Sequence, residues 1–179
     1  MLLDTIKQAL APLAVTDEVE VVKMVPAPPA PEGEPPAKAV EVKERVEQLM
    51  LHTPVYAKKG FHLDVKVTPA DVVTAAQTLI EHKFFLEAIT GVDWIKEGQI
   101  EVVYDFNHWD ELCRVVIRTR TDRAKPEVPT ISAIYSGANW HERETHDFFG
   151  VNFLNHPDLS PLLLPEDADF HPLLKDFKA

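Results

Sequence analysis

The chain has 179 residues, 45% of them hydrophobic, and a formal net charge of −11 from 18 basic and 29 acidic side chains. That length supports one domain, or one domain with an extension, and the hydrophobic share is ordinary for a globular core. The acidic balance argues against binding nucleic acid or an anionic membrane surface directly, since both need clustered Lys and Arg.

The N-terminus, Met1-Leu-Leu-Asp-Thr-Ile6, lacks the basic region of a signal peptide. Its Leu2, Leu3, Ile6 and Leu10 recur at helical spacing and predict a short amphipathic helix over 2–11. Val19, Val21 and Val22 predict a strand near 18–24. The run from Val25 to Ala37 is dominated by proline and reads as an extended spacer, or as a ligand for aromatic-lined grooves. Val40, Val46, Leu49 and Met50, set among Glu and Lys, predict a helix near 39–51. Phe61, Leu63, Val65 and Val67 alternate with polar residues, as in a strand with one buried face. Thr68 is placed to cap a helix with Pro69 at its first position and Asp71 in its first turn. Val72, Ala75, Ala76, Leu79 and Ile80 supply its apolar stripe, to about residue 82.

Three strands follow near 84–93, 99–107 and 112–120, with turn chemistry at Asn107-His-Trp-Asp110. Cys113, the single cysteine, sits in the third and reads as a buried thiol. One thiol excludes an internal disulfide and a multi-cysteine iron–sulfur or zinc site. Arg114, Arg118 and Arg120 share the other face of that strand, as a solvated face or a docking surface. Thr130 is placed to cap a helix that runs to Phe149 and stops at Gly150. No run approaches the ~20 apolar residues that span a bilayer. The expected location is therefore cytoplasmic, or on the cytoplasmic membrane face through other chains. The order of elements predicts an α+β fold, with a single mainly antiparallel or mixed sheet of about five strands backed by helices.

The C-terminal segment is the most informative. Residues 156–179 are rich in Leu and Phe but interrupted by Pro157, Pro161, Pro165 and Pro172, which forbid a long helix and disfavour a central strand. This tail must bury its apolar side chains against its own domain or a partner. Without a partner it is expected to be mobile, with rapid amide exchange. On the preceding helix, His141, Glu142 and His146 suggest a zinc-hydrolase motif. The two histidines are five apart, however, and at about 100° per residue they point roughly 140° away from each other. Arg143 with Asp147, and Glu142 with His146, stand four apart and are placed to pair on a solvated face or to dock a basic partner. The six glycines are scattered, so no phosphate loop is formed.

The run from Gly137 to Phe153 resembles the signature of the 30-kDa subunit family of respiratory complex I, the proton-pumping NADH:quinone oxidoreductase. That pattern is Glu-Arg-Glu, two residues, an acid, two apolar residues, six residues and a basic or His position. Glu142, Arg143, Glu144, Asp147, Phe148, Phe149 and His156 fill it, with Gly150 at the helix stop. The match continues through His156-Pro157-Asp-Leu159, Pro165-Glu-Asp167, His171-Pro172-Leu173 and Lys175-Asp176. Ser160 and Leu174 depart from it, standing where the family usually has basic residues.

The resemblance implies a 1–155 α+β domain, interrupted at about 25–58 by the proline-rich insertion and helix, and a partner-binding tail at 156–179. It implies a non-catalytic structural subunit in the hydrophilic arm of a membrane-bound, ion-pumping oxidoreductase, with no cofactor of its own. Iron–sulfur clusters, with flavin or a nickel–iron centre, would lie in other subunits. The implied partners are a hydrogenase-like large subunit and a small iron–sulfur subunit. The tail interface would involve His156, Pro157, Leu162, Leu163, Asp167, His171, Pro172, Lys175 and Asp176. The equivalent subunit of an energy-converting nickel–iron hydrogenase is the alternative. A metal-dependent hydrolase using His141, Glu142 and His146, and a free adaptor using the proline-rich run, are the more distant ones.

Overall fold

The computed structural model describes residues 1–25 and 40–178. The chain divides into two compact units, one of Met1–Val15 with Met50–Ala179 and one of Thr16–Leu49. The second unit overlaps the expected insertion at about 25–58, and the proline-rich run after Val25 lies outside the described residues.

The smaller unit is a hairpin. Strand β1 (Thr16–Val25) pairs antiparallel with β2 (Val40–Leu49), in register from Thr16 opposite Leu49 to Val25 opposite Val40. The helix expected over 39–51 is therefore a strand. Val40, Val42 and Val46 fall two or four apart, a period-two pattern of β-branched residues. Pairing puts Val42 beside Lys23 and Val46 beside Val19, which outweighs the helix preference of the intervening Glu and Lys. Exposed ion pairs cross the ribbon at Lys23–Glu44 and Lys43–Glu20, each 2.5 Å.

The larger unit is built on a five-stranded sheet. In sheet order its strands are β3 (Leu51–His52), β4 (Leu63–Val67), β7 (Arg114–Asp122), β6 (Gln99–His108) and β5 (Phe84–Trp94). The β4–β7 pair is parallel and the others are antiparallel, with a bulge between Leu86 and Ala88 in β5. Helix α1 (Leu2–Leu10) and a short α2 (Tyr56–Lys59) precede β4. Helix α3 (Val72–Glu81) follows a single 3₁₀ turn at Pro69–Asp71. Thr68 caps that turn by position, but its hydroxyl donates to the Asp71 carboxylate (2.6 Å) rather than accepting a backbone N–H. Ile6 and Leu10 of α1, with Val72, Ala75, Ala76 and Leu79 of α3, close the core over Leu63, Val65, Val102, Val115 and Ile117.

On the opposite face, the arginines of β7 are each paired across strands. Arg118 donates to Asp64 (2.9 Å), Arg120 to Glu101 (2.8 Å) and Arg114 to Glu87 (2.8 Å). Arg120 also lies over the Trp94 ring at 4.3 Å. Glu101 is buried, so this is a half-buried ion-pair network rather than a solvated face. Cys113 is buried and unbridged, and burial pushes its thiol pKa up.

Candidate functional site

Helix α4 (Ala138–Phe149) connects two short strands that pair in parallel, β8 (Glu127–Pro129) and β9 (Asn152–Leu154). Val128 and Phe153 are buried in that pair. Each strand is three residues long, too short to leave a periodic signal in the sequence. Thr130 does not cap α4, because the chain makes turns from Ile131 to Gly137 before the helix starts. Its backbone N–H instead donates to the Leu154 carbonyl (3.0 Å), and its hydroxyl is hydrogen-bonded to the Glu142 carboxyl group. Gly150 ends α4 in the left-handed region at φ 74°, where a side chain would be strained. A Cβ there would also meet the His171 ring at 2.7 Å. One residue back, Phe149 lies directly over Gly91 of β5, where a Cβ would come within 2.3 Å of its ring. Gly91 thus makes room for Phe149 at the end of α4, and Gly150 for the His171 ring of the tail.

Two of the acids of α4, Glu142 and Asp147, turn inward. Glu142 is fully buried, and the Ile131 N–H donates to it at 2.8 Å. Burial pushes its pKa up to about 7, against the opposing pull of the Thr130 hydroxyl and the Ile131 N–H. Asp147 is buried too, and one carboxylate oxygen accepts three consecutive backbone N–H groups, from Leu162 (3.0 Å), Leu163 (2.7 Å) and Leu164 (3.1 Å). Burial pushes its pKa up, but these three bonds and His146 win and hold it below the ordinary carboxylate range. The Arg143 guanidinium donates to the carbonyls of Ser160 (2.9 Å) and Pro161 (3.0 Å) and to the Ser160 hydroxyl (3.2 Å). The expected Arg143–Asp147 and Glu142–His146 pairs do not form. The tail offers Arg143 and Asp147 unsatisfied backbone groups of opposite polarity, and these are better partners than a screened surface charge.

The tail is therefore clamped on its own domain, because prolines leave its backbone groups unpaired by regular structure and these side chains satisfy them. A second clamp holds its end. Asp93 of β5, nearly inaccessible, takes a bidentate Arg123 (2.8 and 3.1 Å) and the Lys175 N–H (2.8 Å), while Arg123 also reaches Asp176 (2.5 Å). His171 Nδ1–H donates to the Asp147 carbonyl (2.8 Å), and the Leu173 N–H to the Phe148 carbonyl (3.2 Å). Leu159 and Leu174 pack on the core, so the departure at Leu174 places an apolar contact where a cation is usual. At the other departure, Ser160 accepts from Arg143, a role no lysine or arginine side chain could fill.

The expected tail residues thus separate by position. The side chains of His156, His171 and Asp176 and the backbones of Leu162, Leu163 and Lys175 engage this domain. Pro172 is half-buried, while Pro157 and Asp167 face outward. Leu163 (60% exposed), Phe170, Leu173 (53% exposed) and Phe177 present apolar surface, with Phe170 and Phe177 stacked at 5.5 Å. Next to Leu173 an open cleft of about 340 Å³ is lined by Ile89, His141, Glu144, Phe148 and Phe149. It suits an apolar side chain with a polar rim.

The three residues of the zinc-hydrolase reading point into different surroundings. Glu142 is sealed, His141 borders the cleft, and His146 Nδ1–H donates to the Val151 carbonyl (2.9 Å). Among the described residues no group of three or more His, Cys, Asp or Glu is placed to hold a metal ion, and no helix is long and apolar enough to cross a membrane. Nothing in the local pattern marks Arg123, and little marks Asp93. The available signal was a lone acid inside the apolar run Gly91-Val-Asp-Trp94.

Comparison with known proteins agrees with this geometry. The chain is 41% identical over 119 residues to an NADH-quinone oxidoreductase subunit of Roseiflexus sp. (strain RS-1), covering 64% of this chain and 68% of that one. It is 37% identical over 124 residues to the same NADH-quinone oxidoreductase subunit of Moorella thermoacetica, covering 68% and 84%. It is also 37% identical over 92 residues to an F(420)H(2) dehydrogenase subunit of Methanosarcina mazei, covering 51% and 58%. Among solved structures, a chain of the membrane-bound sulfane sulfur reductase, an archaeal respiratory membrane complex, superposes with a TM-score of 0.62 at 30% identity, covering 72% of this chain and 78% of that one. Residues 65–179, which include the whole clamp, match the family described as respiratory-chain NADH dehydrogenase, 30 Kd subunit, and the chain belongs to that family.

Proposed function

We propose that this chain is a non-catalytic structural subunit in the hydrophilic arm of a membrane-bound, ion-pumping oxidoreductase of the NADH:quinone oxidoreductase type. In this reading it docks on a hydrogenase-like large subunit, near a small iron–sulfur subunit, and sits peripherally on the cytoplasmic face. The redox centres belong to those other subunits. The 156–179 tail is the docking segment. The observation that carries the reading is the two-sidedness of that tail. Its backbone is fixed inward by Asp147, Arg143 and Asp93, while Leu163, Phe170, Leu173 and Phe177 stay exposed. A rigid apolar ridge of this kind loses little conformational entropy on binding. The electron donor differs among the named relatives, so family membership leaves it open.

The test is affinity purification from solubilised membranes with Leu163→Glu combined with Leu173→Glu. Both side chains face outward, so the isolated variant is expected to melt within a few degrees of the parent chain. Its companion subunits should be lost or strongly depleted. Undiminished recovery of the same companions would refute the docking role of the tail.

A further inference from the structure

The root of the tail holds a buried acid–base couple that the docking reading does not use. The side chains of His156 and Glu142 are both fully enclosed, with His156 Nε2 3.6 Å from Glu142 Oε2. The Asp158 N–H donates to His156 Nδ1 (3.2 Å), so that nitrogen carries no proton and the ring is neutral, with its N–H on Nε2. Nε2 makes no hydrogen bond to a side chain. A separation of 3.6 Å is too long for the charge-assisted bond that an imidazolium and a carboxylate would form in an enclosed site.

The surroundings of Glu142 can accommodate its acid form. Thr130 touches both Glu142 Oε2 and the Ser132 hydroxyl (2.8 Å). It has a single proton to give. A protonated Glu142 can therefore donate to Thr130 while Thr130 donates to Ser132, with the Ile131 N–H still bonded to the other carboxyl oxygen.

We infer that Glu142 and His156 are buried as a neutral couple, so that seating the root of the tail on α4 moves one proton's worth of charge from imidazole to carboxyl with no net uptake. In the unseated tail, His156 is an imidazolium and Glu142 a carboxylate at mildly acidic pH. On seating, His156 gives up its Nδ1 proton to solvent and Glu142 takes one from it, so the proton count balances. Each group alone would make burial strongly pH-dependent, and together they cancel.

The charged and titratable neighbours are few. From α4, Arg143 opposes a charge on His156; from the tail, Asp158 favours one, as does the Asn139 backbone. From β6, buried Tyr104, whose hydroxyl has no partner, senses Glu142. The positions of the two groups agree in direction. Burial raises Glu142 to about 7 and lowers His156 below its ordinary value. The raised Glu142 favours the seated state below about 4.5 and loses it as pH rises toward 7. The lowered His156 favours it above about 6.5 and loses it as pH falls. Between those limits the slopes are opposite.

The test is amide exchange of Asp158 and of Leu162–Leu164 in the full chain from pH 5 to 6.5, corrected for intrinsic rates. The parent chain is expected to stay constant within about twofold. In His156→Asn, which keeps an acceptor for the Asp158 N–H, protection should fall roughly tenfold per pH unit as pH rises. In Glu142→Gln, which keeps an acceptor for the Ile131 N–H, it should fall as pH drops. The double variant should again be flat. Single variants as flat as the parent would overturn the couple. If either single variant fails to seat the tail, the parent chain still decides by NMR. A Glu142 carboxyl titrating near neutrality beside a neutral Nε2–H His156 supports the couple; a Glu142 titrating below about pH 5 refutes it.

Discussion

Replacing Asp147 by Asn tests whether one carboxylate organises the tail. The side chain keeps its shape and an acceptor oxygen, but loses its charge. Three N–H bonds from Leu162, Leu163 and Leu164 then change from charge-assisted to neutral. Charge-assisted bonds are worth about twice neutral ones, a difference of about 1 kcal/mol each. Asn is also cheaper to bury than a carboxylate, which returns part of that loss. A net local destabilisation of about 2 kcal/mol remains, equivalent to about thirtyfold in the opening equilibrium. Hydrogen exchange at Leu162–Leu164 should accelerate by that factor. Lys175, whose N–H is held by Asp93, should change much less, because the two clamps share no partner. The pH dependence has a definite sign. The folded pKa of Asp147 is depressed, so its contribution is present above the ordinary carboxylate value of about 3.8 and is lost as pH falls through the folded value. Unchanged exchange at Leu162–Leu164 in the Asn variant would refute the clamp.

Two further outcomes follow from the same geometry. Gly91→Ala should lower stability by about 1–3 kcal/mol, read as a drop in thermal midpoint, because a Cβ would stand 2.3 Å from the Phe149 ring. In the second clamp, Asp93→Ala leaves Arg123 without its bidentate partner in a mostly buried setting and should cost about 3–5 kcal/mol in urea unfolding. Asp176→Ala, at the exposed end of the same network, should leave the urea midpoint almost unchanged.

The sheet was legible because its strands alternate strongly, as in Leu63, Val65 and Val67, and because Pro69 and Gly150 mark boundaries through fixed backbone preferences. The segment 40–49 was misread. Its Glu and Lys carry helix propensity, and the valines that decide for a strand act through pairing partners on the other arm of the hairpin. Strands β8 and β9 were invisible for a related reason, since each exists only through the other. At the site, the residue types of α4 were visible but their directions were not. A sequence rich in Glu, Arg and Asp reads as a solvated helix, and only the folded chain brings the Ile131 N–H to Glu142 and the tail backbone to Asp147. Of the two places open to the tail, its own domain or a partner, its own domain takes the backbone, while its outward leucines and phenylalanines stay exposed.

The point where the hairpin leaves the larger unit has its own consequence. The Met50 N–H donates to the Val15 carbonyl at 2.8 Å, so the chain is already stitched shut at the base of the 16–49 excursion. Anything threaded between those two residues is topologically a cassette. Its length and composition can drift without reopening that junction, and a designer could exchange it for an affinity handle or a reporter.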